Sequence, residues 1–338
     1  MDYKEIKSLK TAIENAQNIV IIPHKNPDGD AVGSCVALNE IFESLGKKST
    51  IIAPNDFPEF LKWMDQKNKI RIFEENINSN KRLIENSDVI FTLDFNSLSR
   101  IGSMQKYVSK CNAIKVMIDH HQEPDNYADF MYSDVCMSST CEMIYHFLDK
   151  MSLVNNINTN IASCIYTGIM TDTGSFRFPL TSETTHKVIS TLIKLGANGS
   201  KIHDLVYNNN SAEKILLLSH TLRNIVIEKK FNTAYMFLSQ DDLNKFNFKK
   251  GDTEGIVNYG LSIKKIKFSV IFIENKVENI IKISFRSKGD FDVNKFAREH
   301  FNGGGHLNAA GGASKVSLND TIKKFTQLLP KHKTELCS

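Results

Sequence analysis

The 338-residue sequence contains no apolar run near 18 residues, so no membrane-spanning helix is expected. Its opening stretch, MDYKEIKSLK, lacks the apolar core of a secretory signal, and a cytoplasmic location is expected from it. The six cysteines (Cys35, Cys111, Cys136, Cys141, Cys164, Cys337) include no C-x-x-C pair. That spacing argues against a structural zinc site and a disulfide framework, and reads as reduced packing thiols. Prolines number seven and tryptophans one, and no repeat or low-complexity tract interrupts the chain. Missing too is a long basic stripe interleaved with aromatics, which excludes an extended stacking platform for long nucleic acids.

What is present is an ordinary globular composition, 41% hydrophobic and 24% charged, at a length that suits two domains. Residues 1–230 carry 25 Lys and Arg against 27 Asp and Glu, net −2, whereas residues 231–338 carry 17 against 11, net +6. A mildly acidic first part suits a metal centre and a basic second part an anion-binding surface, although solvated charge alone gives the same split. Strand-like runs at 18–24, 49–54, 89–95 and 115–121 alternate with helical patterns, of which 31–46 is one, and this predicts a doubly wound, mainly parallel α/β sheet. Further helices are expected at about 139–150, 159–171 and 183–196, and a linker helix at about 211–228 with Ser211 as N-cap. Runs at 233–238, 267–274 and 279–287, a helix near 292–300 and a glycine cluster form a smaller α/β substrate-binding domain. The expected organisation is a catalytic domain over 1–210, a linker helix over 211–230 and a second domain over 231–335.

The chemistry gathers at the ends of these runs: His24, Asp28 and Asp30 in "HKNPDGD", Asp94 in "FTLDF", Asp119, His120 and His121 in "VMIDHHQEP", and Asp172 in "TGIMTDTGSF". Strand carboxyl ends share one edge of a doubly wound sheet, so these segments can converge. Singly, each has a plain structural reading: Asp28 and Asp30 as turn or N-cap residues, Asp94 as a cap, Asp172 as a loop acid. Together, so many carboxylates and imidazoles repel unless cations hold them. Asp/His ligation without thiolate suits Mn²⁺, with Mg²⁺, Co²⁺ or Fe²⁺ as alternatives. Two such ions about 3.5–4 Å apart form a clamp for in-line attack at phosphorus. In the second half, "NGGGHLNAAGG" holds five glycines in eleven residues and is expected to wrap an anion as a nest, with His306 and Arg286 as charged donors. Arg100 and Arg177 are further candidate phosphate contacts, each equally suited to a structural salt bridge.

H-x-x-x-D-x-D at 24–30, Asp94, the D-H-H triplet at 119–121 and T-D-T-G-S-F-R-F at 171–178 resemble the four motifs of the DHH phosphoesterase superfamily. "TEGIVNYG", "FRSKGDFDVNKFA" and "FNGGGHLNAAGG" resemble its DHH-associated C-terminal domain, and the length and two-domain plan are closest to NrnA-type oligoribonucleases. The resemblance implies that His24, Asp28 and Asp94 hold one metal. It assigns Asp30, Asp94, His120 and Asp172 to a second, with Asp94 bridging. Asp119 is then a partner that orients a ligand imidazole, and His121 stabilises phosphoryl oxygens or protonates the leaving group. Gly303, Gly304, Gly305 and His306, with Arg286, are implied to bind the substrate's terminal phosphate. The implied substrates are short RNAs of about two to five nucleotides, measured by closure between the domains, and 3′-phosphoadenosine 5′-phosphate (pAp). Alternatives are hydrolysis of pApA or a cyclic dinucleotide, a pyrophosphatase of related architecture, and a non-catalytic nucleotide or RNA sensor. A homodimer is compatible with the sequence, which names no interface for it.

Overall fold

Six short runs rich in Val, Ile and Phe pair side by side in the first part of the chain: β1 (Asn18–Pro23), β2 (Lys48–Ala53), β3 (Ile70–Ile72), β4 (Val89–Leu93), β5 (Ile114–Asp119) and β6 (Phe130–Ser133). All five pairings are parallel and the order is β3-β2-β1-β4-β5-β6. The chain winds one way from β1 and the other way from β4, so the switch point of the sheet lies between these two neighbours. Ile19 and Ile21 of β1 face one hydrophobic cluster while Val20 and Ile22 face another, which is why the strand reads as a continuous apolar run. The computed structural model describes residues 1–337, which form two units, Met1–Asn209 and a second beginning at Asn210.

On one face of the first sheet, the helices Gly29–Ser44 and Thr159–Asp172 press together unusually closely. A Cβ on Gly33 would lie 2.5 Å from the Cys164 carbonyl oxygen, and one on Gly168 would lie 2.6 Å from Asp30 Oδ1, so only glycine fits at either position. This contact brings Asp30, near the start of one helix, to Asp172, at the end of the other. Trp63, in the short helix Glu59–Met64, packs against the same core.

The second unit holds a mixed sheet of β7 (Val226–Glu228), β8 (Thr233–Leu238), β9 (Phe268–Asn275), β10 (Ile280–Ser287), β11 (Gly304–His306) and β12 (Ala309–Ser314). Their order is β11-β12-β10-β9-β8-β7, with β8 and β9 parallel and the other pairs antiparallel. β10 alternates half-buried and buried residues along its whole length, and its inward Ile281, Ile283 and Phe285 meet Phe268, Phe296 and Phe325. The segment expected as a separate linker is the helix Ala212–Arg223, and it belongs to this unit. Its Leu217 is fully buried against Met236 and Leu238 of β8, and the rest of the 211–230 span includes β7.

Candidate active site

His24 follows β1 and Asp94 follows β4, so these two residues stand at the switch point itself. Asp94 takes a left-handed backbone, φ 67°, a conformation that Asp tolerates better than most residues, and its N–H donates to the Ile118 carbonyl across to β5. Asp119 ends β5, and His120 and His121 follow it. Asp172 departs from the strand-end expectation, because it is the last residue of the helix Thr159–Asp172. A carboxylate there faces the negative end of the helix dipole, an arrangement that a nearby cation relieves.

The groups converge. His24 Nε2 lies 3.8 Å from Asp28 Oδ2 and 3.5 Å from Asp94 Oδ2. His120 Nε2 lies 3.9 Å from Asp30 Oδ2, 3.6 Å from Asp94 Oδ1 and 3.3 Å from Asp172 Oδ2. Asp94 therefore turns one oxygen toward each imidazole. Both rings are oriented through their other nitrogen: His24 Nδ1 donates to the Lys25 carbonyl at 2.9 Å, and His120 Nδ1 to that of Met137 at 3.2 Å. Donor atoms of His24, Asp28 and Asp94 lie within 4.8 Å of one another, and so do those of Asp30, His120 and Asp172.

Asp28 serves two purposes at once. Its Oδ1 accepts the N–H groups of Asp30 and Ala31 as N-cap of the helix Gly29–Ser44, while Oδ2 faces His24. Asp119 holds an imidazole as expected of a supporting acid, but the ring is that of His121: Nδ1 donates to Asp119 Oδ1 at 2.7 Å. Arg100 sits close enough for its charge to favour the carboxylate of Asp119 and the neutral form of His121. Arg177 is exposed and donates from Nε to the Gly174 carbonyl at 2.6 Å.

Two residues with no signal of this kind in the sequence complete the first unit's cluster. The Thr140 and Cys141 N–H groups, at the start of the helix Thr140–Lys150, donate to Asp30 at 2.6 and 2.8 Å. The Thr140 hydroxyl donates to Asp94 Oδ1 at 2.9 Å. In sequence the segment belongs only to the helix expected at about 139–150, and in the structure Ser139 is the N-cap of that helix.

The electrostatics follow from crowding acids in a largely buried site. Burial opposes the charged ring of His24, yet Asp28 and Asp94 outweigh it and push the pKa up to about 10. Burial likewise opposes the charge on His120, and Asp172, Asp94 and Asp30 raise it to about 9. Asp30 is driven well above the usual carboxylate range by burial and by the charges of Asp94 and Asp172. Burial works against the charge of Asp28, but the His24 imidazole beside it holds the half-exposed carboxyl below that range. His121 is pushed down to about 3 by burial and is neutral at ordinary pH. Burial raises Asp119 to about 6.

In the second unit the expected nest is a hairpin instead. Gly304–His306 form the edge strand β11, and the Gly305 N–H donates to Asn294 Oδ1 at 2.8 Å. Glycine is required by packing here: a Cβ on Gly303 would lie 1.9 Å from the Gly311 carbonyl oxygen. His306 and Arg286 are both register partners of Ala309, from either side, so the two side chains share a sheet face with a methyl group between them. Two strand spacings put their backbones about 10 Å apart, a width that suits a phosphate between their donors. Arg298, whose guanidinium carbon lies 3.7 Å from the Cβ position of Gly304, adds a cation beside β11 that the sequence pattern does not single out.

An acid and imidazole cluster at the switch point of a parallel sheet, joined to a second unit with a glycine-rich hairpin, defines a hydrolytic phosphoesterase architecture. The chain belongs to the DHH family: residues 18–169 match the DHH family N-terminal domain and residues 229–331 the DHHA1 domain. It is 30% identical, over 92% of its length and 93% of the relative's, to the bifunctional oligoribonuclease and PAP phosphatase NrnA of Bacillus subtilis. A probable NrnA of Streptococcus mutans is 29% identical over 95% of this chain and 97% of its own. Among solved structures, an exopolyphosphatase-related protein from Bacteroides fragilis is 38% identical, with a TM-score of 0.94 over 100% of this chain and 98% of that one.

Proposed function

We propose that the chain is a two-ion phosphoesterase that shortens RNA fragments of about two to five nucleotides to mononucleotides and removes the 3′-phosphate of pAp to leave AMP, acting in the cytoplasm. One observation carries the two-ion reading: Asp94 presents one oxygen to His24 and the other to His120, each imidazole backed by separate acids. The donor set fits divalent ions, with Mn²⁺ preferred for mixed carboxylate and imidazole ligation. The buried Cys141 thiol alongside stays protonated, since burial lifts its pKa well above the ordinary value, and it is no competitor as a ligand. His24, Asp28 and Asp94 would hold one ion, and Asp30, Asp94, His120 and Asp172 the other. When bound, the ions supply an activated water and offset negative charge on the phosphoryl oxygens.

The remaining work falls to the protein's own groups. His121 keeps its Nδ1 proton on Asp119, and Nε2 would take the proton that the attacking water gives up and pass it to the departing oxygen. Arg100 adds positive charge beside that pair. Arg286 and His306 hold the phosphate that is not cleaved. Support for short nucleotide substrates comes from the activity for which the Bacillus relative is named and from the placement of Arg286 and His306 on one sheet face, either side of Ala309.

The test is hydrolysis by the purified protein, with Mn²⁺ and after chelation, of pAp, pApA, a cyclic dinucleotide, pyrophosphate, and RNA of about three and about twenty nucleotides. Mononucleotides released from the short RNA and AMP from pAp are expected, both lost on chelation and in Asp94→Ala. Cleavage confined to pyrophosphate or to the long RNA would sink the assignment.

A further inference from the structure

Thr140 stands where the two halves of the acid cluster meet. Its N–H donates to Asp30 Oδ2 and its hydroxyl to Asp94 Oδ1, so one residue touches two carboxylates that reach the site from different elements. It is fully buried. Among the described residues it is the one hydroxyl that donates to Asp94, and it does so on the oxygen that faces His120. The position of Thr140 is itself fixed. Ser139 accepts the Glu142 N–H at 3.0 Å, and the buried Glu142 carboxylate accepts hydroxyls from Ser138 and, at 3.0 Å, from Thr185 of a separate helix.

A carboxylate that serves two ions has to keep its plane, because rotation about its last bond moves both oxygens at once. The left-handed backbone of Asp94 sets where the group starts, not how the plane is turned. A hydroxyl 2.9 Å from one oxygen selects that turn. We propose that Thr140 is a positioning residue whose hydroxyl holds Asp94 in its bridging orientation, so that occupancy of the ion on the His120, Asp30 and Asp172 side depends on it. The proposal rests on the two-ion reading of the site. The backbone N–H donated to Asp30 remains in valine, serine and alanine variants at this position, so the hydroxyl can be tested separately from the helix start.

The experiment compares the full-length wild type with Thr140→Val, which keeps the shape, and Thr140→Ser, which keeps the hydroxyl. Mn²⁺ is titrated into each and followed by the electron paramagnetic resonance of free ions and of spin-coupled pairs. Thr140→Val is expected to take up the first ion as wild type does, to bind the second at least tenfold more weakly and to lose the coupled-pair spectrum. Thr140→Ser is expected to restore both. With pAp, kcat should fall in Thr140→Val at saturating substrate while KM stays near wild type, and added Mn²⁺ should recover part of the rate. Two ions bound with wild-type affinity by Thr140→Val, or a serine variant as impaired as the valine one, would overturn the proposal. Should the valine protein not fold by circular dichroism, Thr140→Ala carries the same comparison against serine. A wild type that binds fewer than two ions overturns the two-ion reading itself, a result visible before any variant is compared.

Discussion

At the scale of single residues, protons and metal ions compete for the same imidazole nitrogens. Free of metal, His24 with a pKa of about 10 and His120 with one of about 9 carry protons at neutral pH. Ligation needs the neutral rings, so loading the site at pH 7 is expected to release at least the two imidazole protons, and affinity should rise with pH up to about pH 10. Calorimetry in buffers of different ionisation enthalpy measures that proton count directly, and a count near zero would contradict the arrangement. Asp119→Asn keeps the volume but exchanges a carboxylate, which can only accept from His121 Nδ1, for an amide that accepts or donates, so the His121 tautomer is no longer fixed. A loss of about 100-fold in kcat is expected, with ion stoichiometry unchanged. His24, Asp94, His120 and Asp172 were legible in sequence because each closes a patterned run. The Asp119 to His121 pairing and the Thr140 contacts were not, since both depend on side-chain angles and on a helix that arrives from elsewhere in the fold.

The element that most constrains the site is the contact between the helices Gly29–Ser44 and Thr159–Asp172. A methyl group on Gly168 would meet Asp30 Oδ1 at 2.6 Å and Cys141 Sγ at 2.2 Å. Gly168→Ala is therefore expected to lower stability by about 1–3 kcal/mol through overpacking and to weaken ion binding on the Asp30 side. A thermal melt and a Mn²⁺ titration separate the two effects. Strands announced themselves where apolar residues ran on: TAYMFL at 233–238 is β8 to the residue, and 280–287 lies within the expected β10 run. The edge strands β3 and β6 did not, because Ile-Arg-Ile and Phe-Met-Tyr-Ser are too short to show a period. "GGGH" misled in a different way: glycine density signals close backbone approach, and a tight hairpin needs that as much as an anion-wrapping loop does.

For the whole molecule, the proposal divides labour between the units, chemistry in the first and phosphate capture in the second. Arg286→Ala should then raise KM for pAp by about tenfold or more, in keeping with the loss of a charge-assisted contact, while Mn²⁺ binding stays as in wild type. A variant with unchanged KM would remove Arg286 from substrate binding. The uneven placement of the aromatic residues has a practical consequence. The lone tryptophan, Trp63, packs on the core of the first unit, whereas the core of the second is built on phenylalanines around Phe268 with Tyr235 beside them. Emission excited at the red edge of the indole band thus reports on the first unit alone. Set beside far-ultraviolet dichroism, which sees both, it makes the chain its own optical gauge of whether the two cores melt together or in turn.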